Sequence, residues 1–236
     1  RRQRQMCIRD RVCMAVVCDG LGGLSLGEVA SGNVILAFDK WFKEQFMAPG
    51  AEWTGESIRN SWEDIIYSMN QKIKEYGASQ GVEMGTTITA VLFLKDKYYA
   101  IHVGDSRLYE LSDGCRQITE DQTLIARELA QGIITKEQAL TDSRRNVLLQ
   151  CIGVTQKLLP AFYSGNINGE AAYLVCSDGF RHVITPDEIY QLCRPLQNLT
   201  QKVMQVNLTS LVERVKQRGE RDNISAVLIQ VGRETC

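Results

Sequence analysis

The sequence predicts an α+β fold in which antiparallel sheets are covered by paired helices, and three observations lead there. Apolar strand-like runs crowd the middle of the chain and are joined by links of about three residues, too short for the crossover that parallel neighbours need. Amphipathic helices come in succession between those runs and do not alternate with single strands. The 236 residues, 44% of them hydrophobic and 23% charged, suffice for a full core in a single domain spanning 1–236.

Val12 to Cys18 is a β-branched apolar run ending in Asp-Gly, and the glycines of Gly20-Leu-Gly22-Gly23 then open a helical segment. In that helix Ala30, Val34, Ala37, Phe38 and Trp41 form one stripe; Ile58, Trp62, Ile65, Ile66, Met69 and Ile73 form a second on the next helix. Strand periodicity follows over Thr86 to Leu94, Tyr98 to Val103 and Arg107 to Leu111. Lys95-Asp96-Lys97 and Gly104-Asp105-Ser106 are the links, both read as joining antiparallel neighbours. Residues 119–156 are polar, with Thr119-x-x-Gln122 and Thr135-x-x-Gln138 as capping-box candidates, and read as a helical lid or flap subdomain. Strands return at Leu158 to Ser164 and Ala171 to Cys176. Thr185-Pro186-Asp187-Glu188 signals a helix start, a last helix carries Met204, Leu208, Leu211, Val212 and Val215, and Ile224 to Val231 closes the chain as a strand.

Composition removes several function classes. With 27 Lys plus Arg against 28 Asp plus Glu, the chain has no basic field for nucleic acid or an anionic membrane. No apolar run reaches the roughly 20 residues of a spanning helix, so a soluble cytoplasmic protein is expected. The 8 cysteines form no C-x-x-C pair and read as reduced core residues; none has an arginine six positions later, which argues against thiol phosphatase chemistry. His102 and His182 are the only histidines, which disfavours histidine-rich zinc sites and Ser-His triads. Catalysis in this chain would have to rest on carboxylates.

Asp19, Asp105 and Asp178 each follow an apolar strand, while Asp222 precedes one. In an antiparallel sheet the end of one strand lies beside the start of its neighbour, so all four could gather at one edge. Asp-Gly at 19–20 and 178–179 and Asp-Asn at 222–223 also suit tight turns, and that reading stands for each alone. Together they would repel unless a cation lay between them. Oxygen-only donors and an approachable glycine carbonyl favour Mg²⁺ or Mn²⁺ over zinc.

Val17-Cys-Asp-Gly-Leu-Gly-Gly23, Gly85-Thr-Thr87, Gly104-Asp-Ser-Arg107, Cys176-Ser-Asp-Gly179 and Arg221-Asp-Asn-Ile224 form an ordered set. The set resembles the metal-dependent protein phosphatases of the protein phosphatase 2C family, most closely its bacterial type. The resemblance implies a four-layer α-β-β-α sandwich of two antiparallel sheets flanked by helix pairs. It further implies hydrolysis of phosphoserine and phosphothreonine by a metal-activated water at a dinuclear Mn²⁺ or Mg²⁺ centre. By position, Asp19 resembles the bridging ligand, Gly20 lends its carbonyl, and Asp178 and Asp222 complete the first metal; these aspartates would carry catalysis. Asp105 matches the ligand of a weak third ion, with Arg107 bracing its turn, and Arg1 matches the phosphate-binding arginine. The implied partners are phosphoprotein substrates of a serine/threonine kinase, met by a monomer, with neither nucleic acid nor membrane.

The departures are local. Counting back from Asp19 places Gln5 and Met6 where the family has Glu and Asp, which would weaken the second metal. His182 stands where a further aspartate is usual and reads as a solvent-facing residue. These changes leave open a catalytically weakened, phosphatase-like binding or regulatory domain. A dinucleotide-binding turn is disfavoured because Ser25 replaces the third glycine.

Overall fold

A computed structural model describes the backbone of residues 2–8 and, in full, residues 12–21, 26–167, 169–195 and 200–231. In chain order the elements are β1 (Arg2–Ile8), β2 (Val12–Cys18), α1 (Gly27–Trp41) running into a π-helical turn (Phe42–Phe46), α2 (Gly55–Gln80), β3 (Ile88–Leu94), β4 (Lys97–Val103), β5 (Arg107–Leu111) and β6 (Cys115–Gln117). Then come α3 (Leu124–Ala130), α4 (Lys136–Thr141), β7 (Ala161–Asn166), β8 (Ala171–Cys176), α5 (Asp178–Arg181), α6 (Pro186–Cys193), α7 (Gln201–Gln217) and β9 (Ala226–Val231). Two antiparallel sheets result, a five-stranded one in the order β1-β2-β3-β4-β7 and a four-stranded one in the order β6-β5-β8-β9.

Side-chain alternation along the strands sorts the molecule into four layers. On β2, Met14, Val16 and Cys18 face a core shared with α1 and α2, where Phe38, Trp41 and Trp62 are almost fully buried. Ala15 and Val17 face the other way, into a second core with Val91, Phe93, Tyr173 and Val175 between the sheets. On β8 the phase repeats: Ala172, Leu174 and Cys176 meet Ile189, Leu211 and Val215 of the α6–α7 pair. Each strand at the centre of a sheet is therefore apolar on both faces, which is why β2, β3 and β8 read as unbroken apolar runs.

Several element-level expectations change. Gly104–Ser106 does not close a hairpin; it carries the chain from β4 in one sheet to β5 in the other. Gly104 makes that crossing possible, with φ of 110° and only 2.5 Å between where a Cβ would stand and Thr87 Cγ2. Thr119-x-x-Gln122 caps no helix: Thr119 Oγ1 accepts from Leu108 N at 3.0 Å, and Gln122 Oε1 accepts from Gly104 N at 2.9 Å. Thr123 caps α3 in its place, while Thr135 and Gln138 form the expected capping box of α4. Residues 148–156 rejoin the body, since Ile152 is buried and pairs with Thr86, and Gly153 N donates to Asn70 Oδ1 at 2.7 Å. The neck of the peripheral segment lies where Thr123 bridges Leu148. Strands β1 and β6, both polar, carry no apolar run that could announce them.

Among the described residues no helix is long and apolar enough to cross a membrane.

Candidate metal-dependent hydrolytic site

Strands β2 and β4 run the same way because each is antiparallel to β3 between them, so Asp19 and Asp105 leave the five-stranded sheet at one end. Both are buried. Asp178 leaves β8 of the other sheet and opens α5. Its neighbour β9 begins alongside, with Cys176 paired to Ala226 and Ser177 N donating to Ser225 O at 2.9 Å.

Hydrogen bonds hold Asp19 by its backbone and Asp178 and Asp222 by their carboxylates. Asp19 N donates to Thr87 Oγ1 at 3.1 Å, and Asp19 O accepts from Thr87 N at 2.9 Å. Gly20 then passes so close to α1 that a Cβ there would stand 2.2 Å from Gly27 O, leaving glycine as the residue that fits. Asp178 Oδ1 accepts from Gly179 N at 2.7 Å. Asp222 is exposed, and its Oδ1 accepts from Asn223 N at 2.8 Å, the turn chemistry its sequence allowed.

Two bridges join the sheets at this end. Thr87 Oγ1 shares a hydrogen bond of 3.0 Å with Ser106 Oγ, which neighbours Asp105. Arg181 Nη2 donates to Asp105 O and to Asp121 Oδ2, each at 3.1 Å, and lies 3.6 Å from Asp105 Oδ2. Asp121 also receives Arg107 Nε and Nη2 at 2.7 Å each, so Arg107 braces the turn. Burial pushes the Asp105 carboxyl up to about 7; Arg181 opposes this, while Asp178 and Asp121 add to it. Burial also raises Asp121, but the Arg107 hydrogen bonds and Arg181 outweigh it and hold Asp121 below the usual carboxylate range.

His102, fully buried, supports the same turn, with Nε2 2.9 Å from Gly104 O and Nδ1 2.8 Å from Thr89 Oγ1. Thr89 Oγ1 also lies 2.9 Å from Ser106 O, and its single proton serves one of the two. Burial lowers the His102 pKa to about 4, so the ring is neutral at pH 7 and donates through Nε2.

His182 is not the solvent-facing residue expected from its place in the sequence. Its side chain is 13% exposed, with Nδ1 3.3 Å from Glu220 Oε2 and Nε2 3.7 Å from Asp178 Oδ2. Glu220 Oε1 in turn accepts from the amides of Arg221 and Asp222 at 2.8 Å each. His182 thereby lies between Asp178 and the loop bearing Asp222, a contact across 38 positions that local sequence does not reveal.

Asp19, Asp105 and Asp178 are thus gathered at one end of the sandwich, with Asp222 attached through Glu220. Arg1 lies outside the described residues. The β1–β2 register sets Gln5 opposite Ala15, four positions along the strand from Asp19 or roughly 13 Å, so Gln5 is not level with the site. The donor set of carboxylates and the Gly20 carbonyl has the chemistry of a hard divalent cation. Among the described residues no three His, Cys, Asp or Glu side chains close on a common point. The thiols of Cys18, Cys115, Cys151, Cys176 and Cys193 are all pushed up by burial and are poor nucleophiles. Thr87, Asp121, Arg181 and Glu220 support the candidate site through bonds to which the sequence assigned no role. Thr87 and Asp121 fall inside motifs, but Arg181 meets its partners 60 and 76 positions away, and nothing local marks it.

The profile of the protein phosphatase 2C family matches residues 5–216. The serine/threonine phosphatase Stp of Listeria innocua is 29% identical over 225 residues, covering 94% of this chain and 86% of its own length. The fold matches that of the Staphylococcus aureus serine/threonine phosphatase Stp1 with a TM-score of 0.84, covering 98% of this chain and 88% of that one at 23% identity. It also matches the catalytic domain of the serine/threonine protein phosphatase PstP in complex with two manganese ions, with a TM-score of 0.74, 26% identity, and coverage of 97% of this chain and 90% of that one.

Proposed function

The chain belongs to the protein phosphatase 2C family and is by that membership a protein-serine/threonine phosphatase; we propose that it hydrolyses phosphoserine and phosphothreonine in proteins at a dinuclear Mn²⁺ or Mg²⁺ centre. The observation that carries this reading is the gathering of Asp19, Asp105 and Asp178, three buried carboxylates from two different sheets, at one end of the sandwich. Asp19 and the Gly20 carbonyl, with Asp178 and Asp222, would hold the ions. When bound, the ions supply positive charge for the phosphoryl oxygens and acidify the attacking water. The protein's own part is positioning. The Thr87 hydroxyl holds Asp19 and ties its sheet to Ser106, which leads into the other, and the opening of α5 and the Glu220 bonds hold Asp178 and Asp222. Residues 119–156, tied down at both ends, would act as a flap that selects the peptide. The substrates would be phosphoproteins made by a serine/threonine kinase, met by a monomer.

The test is hydrolysis of a phosphothreonine peptide, expected to require added Mn²⁺ and to survive thiol alkylation. Asp178→Asn should lose most turnover while keeping its melting temperature, since it removes a charge and opens no core cavity. Undiminished turnover in excess chelator, or wild-type turnover by Asp178→Asn at saturating Mn²⁺, overturns the proposal. A protein that binds a phosphopeptide without hydrolysing it would instead be a phosphatase-like binding domain.

A further inference from the structure

Arg181 ends α5, and its guanidinium is committed to the protein interior. The side chain is 12% exposed, and Nε is buried with no hydrogen-bond partner among the described residues, so an incoming anion cannot use it. Nη2 is held between Asp105 O and Asp121 Oδ2, within 3.6 Å of Asp105 Oδ2. Asp121 is already occupied by the Arg107 fork, and Arg107 Nη1 donates to Tyr109 Oη at 2.9 Å. Two carboxylates, Asp105 and Asp121, thus meet two guanidiniums, Arg107 and Arg181, and these four charges balance, with Asp178 a further carboxylate acting on Asp105. The residue that follows Arg181 is His182, which turns to Asp178 and Glu220 and brings no further carboxylate to Asp105.

A divalent ion needs oxygen donors at about 2.0–2.6 Å and a surplus of negative charge around it. At Asp105 it would meet a guanidinium already 3.6 Å from Oδ2 and a pair of carboxylates already matched by two guanidiniums. We propose that Arg181 is the fixed counter-charge of Asp105, and that this position takes no divalent ion in this protein. Arg181 is then a positioning residue: it joins the turn after β4, the foot of the 119–156 segment and the helix that opens with Asp178. The inference rests on the two-ion reading above only for the number of ions the wild type binds.

The experiment is a Mn²⁺ titration of the intact chain, with free Mn²⁺ read by electron paramagnetic resonance and folding checked by thermal melting. Wild type, Arg181→Lys, Arg181→Met and Asp105→Asn are compared. Lysine keeps the charge and should keep the wild-type number of ions, whereas Arg181→Met should bind one ion more per chain. Asp105→Asn should bind as many as wild type. Loss of an ion in Asp105→Asn, or no gain in a folded Arg181→Met, overturns the proposal. Should Arg181→Met fail to fold, Asp105→Asn decides alone. A wild type that binds no Mn²⁺ sinks the assignment of Asp19, Asp178 and Asp222, while the gain or its absence in Arg181→Met still decides the role of Arg181.

Discussion

Thr87→Val isolates one of the two bridges that join the sheets beneath the candidate site. The substitution keeps the branched shape and removes one hydroxyl, so it opens no cavity. Two polar partners are left behind: the amide of Asp19, which donated to Thr87 Oγ1 at 3.1 Å, and Ser106 Oγ at 3.0 Å. All three residues are buried, with Thr87 at 1%, Ser106 at 0% and Asp19 at 3% exposure, so water cannot replace the lost partner without a shift of the backbone. A buried group left unsatisfied costs about 1–3 kcal/mol, which puts the pair at about 3 kcal/mol. For a chain of this length that corresponds to a fall of about 6–12 °C in melting temperature. The backbone bond from Thr87 N to Asp19 O survives, so the strand pairing should persist while Asp19 loses its fixed direction. Calorimetry or thermal circular dichroism reads the first effect, and the Mn²⁺ concentration for half-maximal hydrolysis, expected to rise, reads the second. Thr87→Ser keeps the oxygen and should restore both. A Val variant within 1 or 2 °C of wild type, or a Ser variant as impaired as Val, would refute the reasoning.

His102 supplies a pH prediction. Its folded pKa of about 4 lies below the ordinary 6.5, so the unfolded chain binds the proton first and stability falls as pH drops from 6.5 towards 4. The loss attributable to this ring is about 3 kcal/mol, and His102→Gln should flatten the acid limb of a stability–pH curve by that order; an acid limb as steep as in wild type would count against it. Excising residues 124–147 at the neck where Thr123 bridges Leu148 should change peptide preference and spare hydrolysis of a small phosphoester, because both sides of the neck are tied to the body. Equal losses on both substrates would contradict a role in selection.

Periodicity and capping are local properties, and the sequence by itself determined what depends on them. The apolar runs of β2, β3 and β8, the stripes of α1 and α2, and the Thr185–Glu188 cap of α6 follow from side chains within a few positions of one another. The placing of Asp19, Asp105 and Asp178 at strand ends was legible for the same reason. Which sheet a strand joins is decided by closure over long distances. The three residues of Gly104–Ser106 could have closed a hairpin, and they cross between sheets because β5 finds β8 more than sixty positions later. The polar strand β1 owes its place to pairing with β2, and Gln5 ends level with Ala15, away from Asp19, because register is fixed by the whole ladder. Arg181 and His182 were equally opaque: a charged side chain at a helix end is ordinarily solvated, and only the packing of α5 against the turn after β4 and the loop before β9 withdraws both from water. The sequence placed the carboxylates at the strand ends, and tertiary packing supplied their countercharges, since a buried charge must be met by whatever the fold brings within a few ångströms.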